Sequence, residues 1–205
     1  SIRRLQRMAY YDTATGLPNH ERFTRDVTDF LEEEGSETGA VFVIRLDRLE
    51  RIFDAVGQDA GDELLTRIVG RLSQAVRAID RMVLTEACAE RPSRLARLRN
   101  GDFAVLASRL RGPEDAGRFA QLLASALNQP FDWREHKLVL GAVIGAALLP
   151  ADGADADTAI RHAMLALAAA RTDAARMKFF TKSLDREANA QLAFEREMRA
   201  ALERG

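Results

Sequence analysis

Apolar residues recur along this chain at helical and strand spacings, and the alternation predicts a mixed fold. Ile2, Leu5 and Ala9 fall at helical spacing, so residues 1–10 read as the end of a longer amphipathic helix entering from an upstream region. Tyr11 to Pro18 is rich in turn formers. Asn19 is a helix cap, and the helix it opens runs to about Glu33 with Phe23, Val27, Phe30 and Leu31 on one face. Gly35 and Gly39 end it. Ala40 to Leu46 is almost continuously apolar, the pattern of a strand covered on both faces. A short helix over Leu49–Ala55 and a turn at Gly57 follow. Leu64, Leu65, Ile68, Val69, Leu72, Val76 and Ile79 then make a helical stripe over about Ala60–Ile79.

Leu95–Leu98 and Phe103–Leu106 flank Arg99-Asn100-Gly101-Asp102, which predicts a hairpin closed by a type I′ turn, since Asn-Gly tolerates positive φ at both central positions. A helix over Pro113–Asn128 comes next, with Phe119, Leu122, Leu123 and Leu127 inward. Two strands follow, Phe131–His136 and Leu138–Leu148. The helix over Ala156–Arg171 is alanine-rich, which lets it lie close to a sheet. Met177–Thr181 reads as a short last strand, and Leu184–Arg204 as a long charged helix with Phe194, Met198 and Leu202 four apart. Helices and strands thus interleave along the chain, the order of a mixed α/β domain.

Charge narrows the functional classes. The 205 residues carry 30 Lys plus Arg against 31 Asp plus Glu, a formal charge of −1, which argues against a nucleic-acid partner or a surface held to acidic lipid by charge alone. Only Lys137, Lys178 and Lys182 are lysines, a bias assigned to codon usage. The apolar stretch Leu138–Leu149 is too short for a bilayer of roughly 30 Å, and Ser1–Arg7 has no apolar core of a secretory signal. With a lone cysteine, Cys88, this fits a cytoplasmic location, membrane attachment of a longer protein being left open.

Several local strings then converge. Asp12-Thr-Ala-Thr-Gly16-Leu-Pro-Asn19 resembles the D-x-L-T-G-L-P-N entry of GGDEF domains, the diguanylate cyclases that condense two GTP into cyclic di-GMP. Val43-Ile-Arg-Leu-Asp47 and Gly57-Gln-Asp-Ala-Gly-Asp62-Glu-Leu-Leu65 are similar to the family's first strand and its G-H-x-x-G-D-x-L-L segment. Ala96-Arg-Leu-Arg-Asn-Gly-Asp-Phe-Ala-Val-Leu106 is similar to its A-R-L-G-G-D-E-F-A-V-L hairpin. The resemblance covers about Tyr11 to Thr181, assigns residues 11–182 to a GGDEF-like domain, and implies an α/β sandwich with a central, mostly antiparallel sheet of about five strands flanked by helices, which agrees with the element order. Leu192–Leu202 looks like the family's linker into an EAL phosphodiesterase domain, so 183–205 reads as a linker helix and 1–10 as the end of a signalling helix.

The chemistry implied by the family departs from this sequence at its centre. Arg99, Asn100, Gly101 and Asp102 stand where Gly-Gly-Asp-Glu would be, so a metal-binding carboxylate becomes Gly101 and the next acid shortens to Asp102; a one-residue gap would instead put Asp102 on the metal ligand and lose the acid after it. The family's metal-binding Asp on the first strand falls on Arg45. Phosphoryl-transfer sites use carboxylates to hold divalent ions against triphosphate charge. A guanidinium about 5 Å from such an ion repels it by roughly 6 kcal/mol at an effective dielectric near 20. The family's phosphate-side Lys becomes Glu50 and its guanine-contacting Asn becomes Phe53. Asp62 keeps the second guanine contact and Arg171 one cationic phosphate contact, the next cation being lost to Ala175. Arg77-Ala-Ile-Asp80 matches the family's R-x-x-D inhibitory site for cyclic di-GMP, but eighteen residues, Arg81 to Leu98, separate it from Arg99 where the family has five, an insertion around Leu84–Ser93. A helix-terminal Arg paired locally with Asp accounts for it more simply.

Other charged and aromatic residues carry structural readings. Asp47 and Asp54 are solvated charges or caps, and Asp59, Asp62 and Glu63 suit a helix start. His20, His136 and His162 are too scattered for a metal site. Cys88 has no partner cysteine, Phe131 and Trp133 suit hairpin packing, and Arg91, Arg94, Arg97 and Arg99 suit a solvated sheet edge. The residues thus point to a catalytically degenerate GGDEF domain regulating a neighbouring EAL domain, with upstream sensory domains, a homodimer or protein partner, and GTP or cyclic di-GMP as further partners. No cofactor is expected, and no metal. Two rivals remain open: a weak cyclase using Asp102 and Asp47 with relocated Mg²⁺, and a non-catalytic nucleotide sensor. Arg45 needs a counter-charge, expected from Asp47 or Asp102.

Overall fold

A computed structural model describes residues 8–33, 38–83 and 92–204. Met8–Tyr10 are helical; the rest of the expected N-terminal helix, and Leu84–Arg91 of the long insertion including Cys88, lie outside the described residues. Helix α1 (His20–Glu32) is opened by Asn19, whose side-chain oxygen accepts from Arg22 N–H at 3.0 Å. Strand β1 (Thr38–Leu46), α2 (Leu49–Val56) and α3 (Gln58–Val83) follow, then β2 (Arg94–Arg97), β3 (Phe103–Leu110) and α4 (Pro113–Asn128). After these come β4 (Phe131–Trp133), β5 (His136–Leu138), β6 (Ala142–Leu149), α5 (Ala156–Ala170), β7 (Met177–Phe179) and α6 (Lys182–Arg204).

The expected sheet is present, in the order β2-β3-β1-β6-β7, with only the β6–β7 pairing parallel. Strand β1 is buried on both faces because two cores meet at it. Phe42, Ile44 and Leu46 face α3 and α4, where Phe42 stacks on Phe119 with centroids 5.0 Å apart. Val41 and Val43 face α1 and α5. Burying each such large apolar side chain contributes about 1.5–3 kcal/mol. The alanines of α5 serve close approach: a Cβ on Gly145 of β6 would lie 2.2 Å from Ala163 O and Leu167 N.

Three local expectations need correction. Leu138–Leu148 is not one strand. Positive φ at Gly141 (65°) bends the chain there, β5 pairs only with β4 in a separate two-stranded sheet, and β6 begins at Ala142. The turn of that hairpin is at Arg134, φ 53°, so its first strand stops at Trp133. Trp133 is buried in the α3/α4 core and Phe131 lies under the Arg71 guanidinium, as hairpin packing requires. The signature turn is not type I′ either, for Gly101 alone in it has positive φ (84°). Leu98 N–H bonds Asp102 O and Gly101 N–H bonds Leu98 O, closing a three-residue loop with its glycine in the left-handed region.

Candidate functional site

The site resembling a cyclase centre is built where β1 ends beside the loop joining β2 to β3. Strands β1 and β3 pair antiparallel with Val43 opposite Ala104 and Ile44 opposite Phe103. One further step of that register puts Asp102 across from Arg45, both on the α1/α5 face. Arg45 Nε donates to Asp102 Oδ1 at 2.9 Å and Nη2 to Oδ2 at 2.7 Å. Of the two counter-charges expected for Arg45, Asp102 is the one used. Asn100 completes the arrangement. Its Nδ2 donates to Asp102 Oδ2 at 2.7 Å, and its Oδ1 accepts from Asp102 N–H at 3.1 Å. Asp102 is 4% exposed and Arg45 about a third, so the pair is a charge-assisted fork with one end in water. The bonded Asp102 holds the Arg45 guanidinium above its ordinary pKa.

The remaining predicted residues do not converge on this pair. Gly101 supplies backbone only, and Arg99 leaves the loop to pair with Glu21 on α1. Glu50 is exposed in the first turn of α2. Phe53 turns back on the scaffold, its ring 3.1 Å from where a Cβ on Gly61 would lie. Asp62 and Arg171 are both exposed, at the first turns of α3 and the end of α5.

At the Arg77/Asp80 candidate, the acid takes a partner other than the neighbouring arginine. Asp80 is buried and accepts from Ser93 N–H at 2.9 Å and Ser93 Oγ at 2.5 Å, while Arg77 is exposed. Burial pushes the Asp80 carboxyl up, and the two Ser93 hydrogen bonds pull it back. Asp80 therefore anchors the return of the chain from the insertion into β2.

Two charge readings also change. Asp47 is not merely a solvated end, because Arg176 Nη2 pairs with it. The basic β2 edge is partnered: Arg94 bonds the buried Asp26 at 2.6 Å together with Arg22, and Arg97 lies 4.0 Å from Asp12 and over the Phe103 ring. Sequence reasoning missed Arg176, and its one signal was a cation directly after Ala174-Ala175, where the family-like string lapses.

A divalent ion, which the family resemblance implies between β1 and the signature loop, does not fit this donor set. The one carboxylate at the loop is already bound by three N–H donors, two of them cationic, and the opposing strand offers a guanidinium. Among the described residues, no group of three or more His, Cys, Asp or Glu is placed to hold a metal. No helix among them is long and apolar enough to cross a membrane.

Comparison with known proteins agrees with this geometry of fold. Residues 9–176 match the family model described as diguanylate cyclase, GGDEF domain. The chain is 31% identical over 205 residues to the cyclic di-GMP phosphodiesterase NbdA of Pseudomonas aeruginosa, covering 97% of this chain and 24% of that protein. It is 31% identical to the bifunctional diguanylate cyclase/cyclic di-GMP phosphodiesterase MucR of the same organism, covering 98% of this chain and 28% of MucR. It thus spans about a quarter of the length of these relatives. Among solved structures, a GGDEF-only fragment of P. aeruginosa TpbB superposes with a TM-score of 0.74 at 26% identity, covering 88% of this chain and 99% of that one.

Proposed function

Because the chain belongs to the GGDEF domain family, we propose that it is a GGDEF module of cyclic di-GMP signalling that does not condense GTP. In this reading it is a cytoplasmic regulatory part of a longer protein, passing a conformational state to an adjacent EAL phosphodiesterase domain. The observation that carries the proposal is the Arg45–Asp102 fork: the cation stands where the family has a metal-binding carboxylate, and it engages the loop's remaining acid. Glu50 and Phe53 reinforce it, since neither supplies the phosphate or guanine contact of an active member. The relatives named as phosphodiesterase or bifunctional enzyme support the EAL neighbour.

Purified protein with GTP and Mg²⁺ or Mn²⁺, assayed beside an active cyclase, should yield no cyclic di-GMP. Clear turnover would overturn the proposal. The exposure of Asp62 and Arg171 favours a second reading within it, in which GTP binds without reacting. Calorimetric titration with GTP, repeated on Asp62→Ala and Arg171→Ala, tests it; heat in the wild type that both variants lose is the expected result, and no heat removes this second reading.

A further inference from the structure

We propose that a neutral His162 is a latch holding helix α6 against the domain, and that protonation of its imidazole releases the helix. The proposal rests on the reading that α6 carries the domain's state onward, and supplies a regulation for it. Among the described residues, only the start of α6 is covered: Leu184, Asp185 and Ala188 are half-buried, while every described side chain from Asn189 onward is exposed. Its exposed Leu192, Phe194, Met198 and Leu202 therefore take no part in seating it. Leu184 packs on the α1/α5 core, and Arg161 and His162 of α5 supply the polar part of the seat. Arg161 Nη1 donates to Asp185 Oδ1 at 2.8 Å, and the His162 ring stacks on Phe180 just before α6, 3.8 Å between centroids and 6° from parallel.

The partners of its two ring nitrogens assign the tautomer of the neutral imidazole. His162 Nδ1 lies 2.5 Å from the carbonyl oxygen of Asp152, which can only accept, so Nδ1 carries a hydrogen. Nε2 lies 3.0 Å from Arg161 Nη2, which can only donate, so Nε2 is the bare acceptor. The same guanidinium thus bridges His162 and Asp185. A proton on Nε2 sets two donors and two cations against each other at that distance, and Arg161 must leave.

The charged groups around the ring leave the switch to this contact. The Asp152 carboxylate accepts from Leu148 N–H, and Asp155 from Thr158. Lys178 of β7 pairs with Asp173. On α6, Lys182 and Arg186 line the same groove and oppose added positive charge, while Asp185 is the acid that a released Arg161 or a protonated His162 would contest. If imidazolium simply replaced Arg161 on Asp185, the helix would stay seated, and the test must exclude that.

The test uses the intact chain. Nitrogen-15 spectra of the imidazole, with His162 assigned by loss of its signals in His162→Phe, should show the Nδ1–H tautomer at pH 7.5 and identify the acid pH at which both nitrogens carry protons. Spin labels at Arg51→Cys and Glu203→Cys, with Cys88→Ser, should give a narrow distance distribution at pH 7.5 and one at least about twice as broad at the acid pH where the spectra show both nitrogens protonated, as a helix freed at its base sweeps. His162→Phe keeps a ring on Phe180 and should show the same width at both pH values. An Nε2–H tautomer at pH 7.5, an unchanged wild-type distribution, or a pH response retained in His162→Phe would each overturn the latch. None of these readouts involves GTP, so failure of the latch and failure of the non-cyclase reading are separate results.

Discussion

Arg45 and Asp102 face each other across the β1–β3 ladder, joined by two parallel N–H···O bonds of 2.9 and 2.7 Å. Their environments differ: the acid is buried, whereas about a third of the arginine reaches water. Losing the arginine therefore strands a desolvated carboxylate on Asn100 alone, whereas losing the acid lets the arginine swing outward. Arg45→Ala should cost about 2–4 kcal/mol and Asp102→Ala about 1 kcal/mol. Urea denaturation of the two variants at pH 7 measures this asymmetry, and equal or reversed losses would show that the fork is not organised around the buried acid.

Restoring a carboxylate should reopen the position to a dication without restoring an enzyme. Arg45→Asp removes the positive charge and adds an acid opposite Asp102, a favourable change of two charges for any ion placed there. Mn²⁺, followed by its own paramagnetic signal, should bind this variant at least about tenfold more tightly than the wild type. GTP condensation should stay absent, since Glu50, Phe53 and Ala175 are unchanged. Equal Mn²⁺ affinity in both proteins would count against electrostatic exclusion by Arg45.

The sequence made the sheet and its helices legible because burial on two faces leaves long apolar runs: Ala40–Leu46 announced β1, and the Leu64–Ile79 stripe announced α3. It also placed a guanidinium at residue 45 and demanded a counter-charge for it. Which of Asp47 and Asp102 answered depended on register across β1 and β3, a relation between residues 57 positions apart that periodicity does not carry. The same limit hid Arg176 on Asp47 and Ser93 on Asp80. The break between β5 and β6 was missed for another reason: Leu138–Leu149 is apolar throughout, and only the positive φ of Gly141 splits it.

Asp80 gives a pH dependence of definite sign. Burial raises its carboxyl above the ordinary range, so the folded state holds that proton more readily than the unfolded chain does. Its contribution to stability is thus most favourable at acid pH, and declines as pH rises from about 4 through the raised value. Ser93→Ala removes the hydroxyl donor from the charged form and pushes the carboxyl up further. The variant should lose about 1–3 kcal/mol at pH 7 and distinctly less at pH 4. Thermal or urea unfolding at the two pH values checks this, and a penalty that grows on acidification would refute the assignment of Ser93 as the partner of ionised Asp80.

Helix α5 approaches the sheet closely enough to carry a seat for α6 because β6 has a glycine beneath it. Gly145 lies in the middle of β6, opposite Val43 of β1, where φ is unremarkable and any residue could adopt the backbone. Its requirement is spatial. A methyl group there would sit 2.2 Å from the backbone of Ala163 and Leu167, and backbone atoms of a packed helix cannot turn aside as a side-chain end can. Gly145→Ala must therefore lift α5 from the sheet, loosening the contacts of Ala159, Ala163 and Leu167 with it. The loss should reach about 3 kcal/mol or more, the upper end for overpacking a core. At Gly70, on the exposed side of α3, a Cβ meets nothing within 4 Å, so Gly70→Ala should instead stabilise by up to about 1 kcal/mol through helix propensity. Parallel urea titrations of the two variants give opposite signs if close packing at Gly145 is what the sheet demands; a Gly145→Ala protein as stable as the wild type would mean that α5 has slack at that point.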